Sequence, residues 1–211
     1  MRRAPQKGRY DRASIDRVLD RGLVAHVAFA DGDSAVCIPM LYARVGDTVY
    51  IHGSTKSRAV RLLAEGAPAC VTVTLVHALV LARSTFEHSA NYDSAMVFGE
   101  FSLVDDEAER LLAFEAFTEK LLPGRWDEAR QPNAKELKAT EILALEIDEA
   151  SAKVRSGGPN DDDSEDAALD VWAGVVPIVS SYGTPTPSAG LRDGIPVPDS
   201  VRRLLTRDPP G

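Results

Sequence analysis

The sequence predicts a mainly β (α+β) protein, a small barrel with helices at its periphery. Three observations lead to this fold class. At least six short strand-like segments follow one another, tight turns join several of them, and helical patterns stand between only a few. The clearest segment, ACVTVTLVHALVLA at 69–82, alternates apolar and polar residues as a half-buried strand does.

Each element follows from a local pattern. Apolar residues at helical spacing after Asp11 predict a first helix that Gly22 ends, and the Asp-Gly-Asp sequence at 31–33 predicts a hairpin turn. Asp106 begins a longer helix with the apolar stripe Leu111, Phe114, Phe117 and Leu121. Strands are predicted at 23–30, 34–44, 48–52, 69–82, 92–104 and 141–148, and helices at 11–21, 57–66, 106–122 and 134–139.

The chain divides into a barrel domain, residues 1–156, and an extended tail, residues 157–211. The tail holds eight of the 13 prolines and the acidic run at 161–166. Such a composition does not build a second packed core, so the tail is either partly disordered or packed on the barrel or on a partner subunit. A short helix capped by Asp199 is predicted near its end.

Composition excludes several classes of function. A net charge of −8, from 24 basic and 32 acidic residues, argues against nucleic acid or an anionic membrane as the main partner. The basic N-terminus has no apolar segment behind it, so a secretory signal is not expected, and no apolar run reaches the ~18 residues of a membrane span. Cys37 and Cys70 form no disulfide or metal motif, which favours reduced thiols in a cytoplasmic protein.

The segment GDTVYIHGSTKSRAVRLLAEG at 46–66 carries the strongest functional signal. A strand runs into a small polar loop that opens a helix, and the helix start offers unpaired N–H groups and a partial positive charge. Lys56 and Arg58 add full charges, and Ser54 and Ser57 add hydroxyl groups. The pattern predicts a phosphate cradle, with a simple capped helix and solvated basic residues as the alternative.

Four segments together resemble one known family. They are AVCIPMLYARVGDTVYIHGSTKSR, VLARSTFEHSANYDSAMVFGEF, LLPGRW and DVWAGVVP, in this order along the chain. The chain resembles the pyridoxamine 5′-phosphate oxidase-like flavoproteins, and within them the nitroimidazole-reductase-like branch. The resemblance implies an FMN-binding split β-barrel with peripheral helices, homodimeric, with two flavin sites at the subunit interface.

The resemblance also assigns residues to the site. The FMN phosphate would lie on Lys56, Ser57 and Arg58, with Ser54 in the same cradle. The flavin ring would lie against Pro39, Met40, Tyr42 and His52. Asn91 belongs to a polar segment that reaches the partner's FMN, and Ser94 and Trp172 would close the site.

Three of these positions also carry interpretations of their own. A proline within a strand predicts an edge or a bulge at Pro39, because proline lacks the ladder donor. His52 ends the strand before the cradle, so it points either at the ligand or the barrel rim, or at a loop carbonyl. Trp172 lies in an apolar stretch inside a polar tail and must be covered by flavin or by a partner subunit.

Two positions depart from the family pattern. Relatives are expected to carry a basic residue where this chain has Asp93, which removes a positive charge from the site. Val76-His77-Ala78 stands where a tighter polar turn is usual.

The predicted activity is that of an FMN-dependent oxidoreductase, which takes electrons from a nicotinamide and reduces a small organic acceptor. Alternatives are a pyridoxamine-phosphate-oxidase-type oxidase, or a non-catalytic module that binds flavin, deazaflavin or haem. No catalytic triad, zinc-ligand spacing, GxGxxG or P-loop motif is present in the sequence, and no metal is expected. No catalytic residue is assigned, although His52 is a candidate beside the flavin.

Overall fold

A sheet of ten strands dominates the computed structural model, which describes residues 8–206. Its strands are β1 (Gly8–Arg9), β2 (Val24–Asp31), β3 (Ser34–Val45), β4 (Thr48–Ser54), β5 (Pro68–Leu81), β6 (Ser89–Glu100), β7 (Ser102–Leu103), β8 (Thr140–Glu146), β9 (Glu149–Arg155) and β10 (Gly174–Pro177). The helices are α1 (Arg12–Arg21), α2 (Arg58–Ala64), α3 (Glu107–Leu121), α4 (Arg125–Glu128), α5 (Ala134–Ala139) and α6 (Asp199–Leu204). The mainly β prediction is confirmed.

The order of the strands makes the sheet a split barrel. The path runs β1-β9-β6-β5-β2-β3-β4-β8-β7, and β10 pairs with β5. Only Phe101, which is buried, separates β6 from β7. One stretch of chain therefore pairs with β5 through β6 and with β8 through β7, so the sheet curls round upon itself.

The barrel core consists of the alternating apolar residues of these strands together with one face of α1 and α2. Val27, Ile51, Val71, Val97 and Leu143 are representative, and all are fully buried. A second, smaller cluster lies on the outside of β4 and β8, where α3 covers them. The structure thus has one main core and one satellite under a helix.

The helix starts agree with the sequence signals. Asp11, Ser57 and Asp106 cap α1, α2 and α3 by accepting the backbone N–H of the residue three positions on. The predicted stripe of α3 is only partly right. Phe117 and Ala113 are the buried residues of α3, and Leu111 and Leu121 at the stripe's ends are exposed.

Pro39 lies on an open strand edge, as predicted. Residues 34–41 of β3 pair with β2 on one side, and β4 begins to pair with β3 only at Tyr42 and Ile51. Within residues 8–206 no other strand takes the remaining edge of β3 at Pro39, so the missing N–H of proline costs no ladder bond.

The tail returns to the barrel at three places. Asp161 is buried against the turn after β5, β10 adds to the edge of β5, and α6 lies on α4, where Glu128 accepts the backbone N–H of Ser200. The cap of α6 was predicted wrongly. Pro198 holds the N-cap position and Asp199 is already inside the helix. The Glu128 carboxylate, which lies outside α6, accepts the backbone N–H of Ser200 in place of a capping side chain.

No helix in the described part of the chain is long and apolar enough to cross a membrane. Residues 1–7, which include most of the basic N-terminus, and the last residues of the tail, 207–211, lie outside the described residues.

Candidate functional site

The split of the barrel lies between β3 and β4. Their pairing stops at Tyr42 and Ile51, and the following residues on each strand, 41 to 39 on β3 and 52 to 54 on β4, do not bond to each other. Pro39 and Met40 therefore lie on one lip of the split, and the end of β4 that leads into the cradle forms the other. This brings together two groups of predicted site residues that are distant in sequence.

The cradle has the strand–loop–helix form that the sequence predicted. The hydroxyl oxygen of Ser54 accepts the backbone N–H of Lys56 at 3.2 Å, and that of Ser57 accepts the N–H of Val60 at 3.4 Å. Gly53 is required for packing, because a Cβ there would lie 2.6 Å from a methyl group of Val60. Both serines shape the turn and keep their O–H groups for donation to a ligand.

Two cations stand at this turn. Lys56 is exposed and forms no ion pair within residues 8–206. Arg58 is bonded to Asp31 at 2.7 Å, but its side chain is 73% exposed. An exposed pair of this kind contributes little, so Arg58 can turn to an anion at small cost.

Two predicted ring contacts have side chains directed into the protein. Tyr42 is fully buried, its hydroxyl donates to the carbonyl of Leu19, and Lys120 stands 4.3 Å above its ring. Burial raises the pKa of the Tyr42 phenol well above its ordinary value. Met40 is half-buried against the core. At Tyr42 only the backbone is left for a ligand in the split.

His52 faces α3. Its ring packs edge-to-face on Phe117, with centroids 4.6 Å apart, in the satellite cluster on the outside of the barrel. Burial lowers the pKa of this imidazole, so His52 is neutral at pH 7. Sequence reasoning had directed His52 to the ligand, the rim or a loop carbonyl. Its alternation with Ile51, which points into the core, turns it outward instead.

The polar segment at the start of β6 is tied to the beginning of the tail. Asn91 is buried, donates to the carbonyl of Gly157 at 3.0 Å and accepts from Arg155 at 2.8 Å. Ser94 is half-exposed, opposite Thr74 on β5 and Lys153 on β9. Of the two, Ser94 has the side chain that a ligand can reach.

Two positions that the sequence analysis singled out, His77 and Asp93, lie in contact. His77 occupies a bulge of β5 between Val76 and Ala78, and its Nε2 lies 3.3 Å from Oδ2 of Asp93 on β6. The contact joins two strands, so neither position alone predicts it.

Trp172 lies just before β10. Its ring covers Gly174, where an added Cβ would come within 3.0 Å of the indole, and the side chain is mostly exposed, with 66% of the residue accessible. The flat indole ring of Trp172 is thus exposed, as expected for a surface that another molecule covers.

Nothing in the sequence indicates that Asp161 holds the turn after β5. Its carboxylate accepts the backbone N–H groups of Arg83 and Ser84, at the turn that leads to the polar segment before β6. Among the described residues no cluster of three or more His, Cys, Asp or Glu side chains could hold a bare metal ion.

Comparison with known proteins agrees with this fold. The family model described as pyridoxamine 5′-phosphate oxidase matches residues 11–154. The FAD and heme binding protein from Mycobacterium smegmatis is 44% identical, with a TM-score of 0.89, over 94% of this chain and 97% of that one. The flavocytochrome Anf3 from Azotobacter vinelandii is 36% identical, with a TM-score of 0.90, over 97% of this chain and 94% of that one.

A third solved structure shares the fold alone. It is a candidate 5-nitroimidazole antibiotic resistance protein from Bacteroides thetaiotaomicron, 18% identical over 70% of this chain and 86% of that one, with a TM-score of 0.60. No curated protein matches the chain. Fold and comparisons define a split-barrel protein of the flavoprotein type. The chain belongs to the pyridoxamine 5′-phosphate oxidase family.

Proposed function

We propose that this chain is a flavin-dependent redox protein that binds FAD together with a haem. The observation that carries the proposal is its likeness, over nearly the whole length, to two proteins described as binding FAD and haem or as a flavocytochrome. The likeness includes the tail, which the family model does not cover.

The sequence predicted FMN, and the proposal changes the flavin to FAD. FAD contains the FMN unit, so the cradle keeps its predicted task. Lys56 and Arg58 supply charge to the phosphate nearest the flavin ring, and the hydroxyl groups of Ser54 and Ser57 donate to it. The Pro39 lip of the split offers free backbone groups to the ring edge.

A bound flavin would supply hydride chemistry with a reduced nicotinamide, single-electron chemistry with a haem, or two-electron reduction of a small organic acceptor. The residues of the chain orient the bound groups and exclude water from them. His52 is neutral and packed away, and Tyr42 is buried. No side chain of the site is therefore assigned as an acid or base.

A second copy of the chain completes the site in this proposal. The outer face of the sheet, formed by β3, β2, β5 and β6, carries exposed apolar side chains on adjacent strands. They are Val24, Leu41, Val76, Met96 and Phe98. An apolar face of this extent on a monomer marks an interaction surface.

Free thiols at Cys37 and Cys70 suit a reducing cytoplasm.

The absorption spectrum of the purified full-length chain tests the proposal. We expect flavin bands with a haem Soret band, and a released nucleotide that co-migrates with FAD. Bleaching by NADH or NADPH, followed by reoxidation that depends on an acceptor, would establish turnover and exclude a passive binding module. A sample with flavin bands alone, and FMN on release, would return the protein to the FMN-dependent class.

Light scattering tests the paired state. We expect a stable dimer when the flavin is bound, and substitution of Met96 by Asp to weaken both dimer and flavin binding. A fully loaded monomer would refute the shared site.

A further inference from the structure

We propose that a cavity between α4 and the tail binds a small carboxylate with an apolar body, and that Arg125 pairs with the carboxylate. The cavity has a volume of about 700 Å³, and its walls come from α4, from the tail between residues 185 and 198, and from Val201 of α6. None of the residues that line it belongs to the cradle or to the lips of the split. The site is therefore additional to the one described above and independent of the proposed function.

The tail segment that forms one wall has the properties of a binding loop. Residues 178–198 run from β10 to α6 without helix or strand. Irregular segments longer than ~12–15 residues are uncommon in compact domains unless they have a function or are disordered. This one is held at both ends, where Ile178 donates its backbone N–H to His77 and Ser200 donates its own to Glu128. The segment is thus fixed around an open space.

The walls of the cavity are mostly apolar. Prolines and aliphatic side chains make up most of them, among them Pro187, Leu191, Ile195 and Val197. The last three are exposed in the chain, so a ligand in the cavity would remove them from water. Cavities of ~300–1,000 Å³ with apolar walls and a few polar groups are the usual form of small-molecule sites.

The polar groups that remain available at this cavity are hydrogen-bond donors. An arginine has five N–H donors, and the only side-chain contact of Arg125 within residues 8–206 is with Glu128, at 3.4 Å. The hydroxyl group of Thr186 has no hydrogen-bond partner in the same part of the chain. A second guanidinium, that of Arg203, lies beside Gly124, where an added Cβ would come within 2.5 Å of it.

The neighbouring carboxylates are already occupied. Both oxygens of Glu128 accept from Ser200, one from its backbone N–H at 3.0 Å and the other from its hydroxyl group. These bonds hold the pKa of Glu128 below its ordinary value, so the carboxylate is ionised at neutral pH. Glu119 accepts two backbone N–H groups at the start of α4. A ligand here therefore has to supply the acceptors, and a carboxylate matches the planar guanidinium of Arg125 with two parallel bonds.

Calorimetric titration of the purified full-length chain with octanoate tests the site, and neutral octanol is the matched probe. We expect saturable binding of one octanoate per chain. Octanol should bind at least about tenfold more weakly, because it lacks the charge that Arg125 pairs with. Octanoate should also slow hydrogen exchange at Leu191, whose backbone N–H bonds to the carbonyl of Ser188 inside the tail segment.

Three variants locate the binding. Arg125→Ala should weaken octanoate binding roughly ten- to a hundredfold and leave octanol binding unchanged. Arg130→Ala is the matched control, because Arg130 is exposed and its guanidinium is bonded to Glu136, and it should bind octanoate as the wild type does. Ile195→Trp fills the cavity with a larger side chain and should abolish the binding of both probes.

Four outcomes would contradict the proposal. Absence of saturable octanoate binding to the wild type up to about 1 mM would overturn it as a whole. Equal affinities for octanoate and octanol would overturn the carboxylate class, and an unchanged octanoate affinity in Arg125→Ala would overturn the role of that residue. Wild-type binding in Ile195→Trp would place the ligand on another apolar surface. Circular dichroism of each variant reports on folding, and the results do not depend on which flavin or haem the chain binds.

Discussion

The carboxylate of Asp161 holds Arg83 at two points, the backbone N–H at 2.6 Å and the guanidinium at 3.2 Å. The two residues are 78 positions apart, and Asp161 is only 2% exposed. A single buried carboxylate thus fixes where the tail leaves the barrel. This anchor precedes Trp172 and β10 along the chain.

We expect Asp161→Asn to loosen the tail without unfolding the barrel. Burial opposes ionisation of Asp161, but the N–H groups of Arg83 and Ser84 and the Arg83 charge outweigh it and hold the pKa of the carboxyl below its ordinary 3.8. The contribution of Asp161 to stability is therefore fully present above pH 3.8 and is lost as pH falls through the lowered pKa. Hydrogen exchange of β10 should accelerate in the variant, whereas exposed Asp163→Asn serves as the control and should change nothing.

Arg58→Ala should weaken flavin binding roughly ten- to a hundredfold. A charge-assisted hydrogen bond contributes ~1.5–3 kcal/mol, and breaking the exposed pair with Asp31 offsets little of it. Flavin affinity by equilibrium dialysis measures the effect. Arg61→Ala, on the same helix, is the matched control. Equal affinities in both variants would show that the cradle does not hold the phosphate.

Gly174→Val tests the aromatic cover. A Cβ at Gly174 would lie 3.0 Å from the indole of Trp172 at its present place, so a valine there displaces the ring. We therefore expect weaker flavin binding and easier quenching of the flavin by iodide. Gly183→Val is the control, since a Cβ there meets nothing within 4 Å. Unaltered quenching in Gly174→Val would leave Trp172 with a packing role only.

Lys120 should make stability depend on pH in the alkaline range. Its Nζ donates to the carbonyl of Leu19 at 2.7 Å, and burial lowers its pKa from 10.5 to about 8, although Asp20 opposes the shift. The unfolded chain therefore binds this proton more tightly, so the contribution of Lys120 to the free energy of unfolding rises from pH 8 to 10.5, by on the order of 3 kcal/mol.

Lys120→Met removes that proton and should flatten this part of the profile, as measured by urea midpoints at each pH. Lys138→Met, on exposed α5, is the control. Parallel profiles for the wild type and Lys120→Met would contradict the buried, titrating lysine.

The strands and the cradle were predictable because their signals are local. The alternation around Val71 and the Ser57 cap depend on neighbours in sequence, and the structure keeps both. The packing partner of His52 was not predictable, because Phe117 lies on α3, more than 50 residues away. The burial of Asp161 was not predictable for the same reason. It belongs to an acidic run whose composition indicates solvent exposure, and only a distant turn accounts for its burial.

The edge of β5 that β10 covers has a consequence for any shortened form of this protein. The four residues of β10 bond to Ala78–Leu81, and in the described chain nothing else occupies that edge. A chain that ended before β10 would present unpaired N–H and C=O groups beside exposed Leu79, and an open apolar strand edge recruits strands from other molecules. Loss of the tail should therefore show itself first as aggregation, before any change in redox behaviour can be measured.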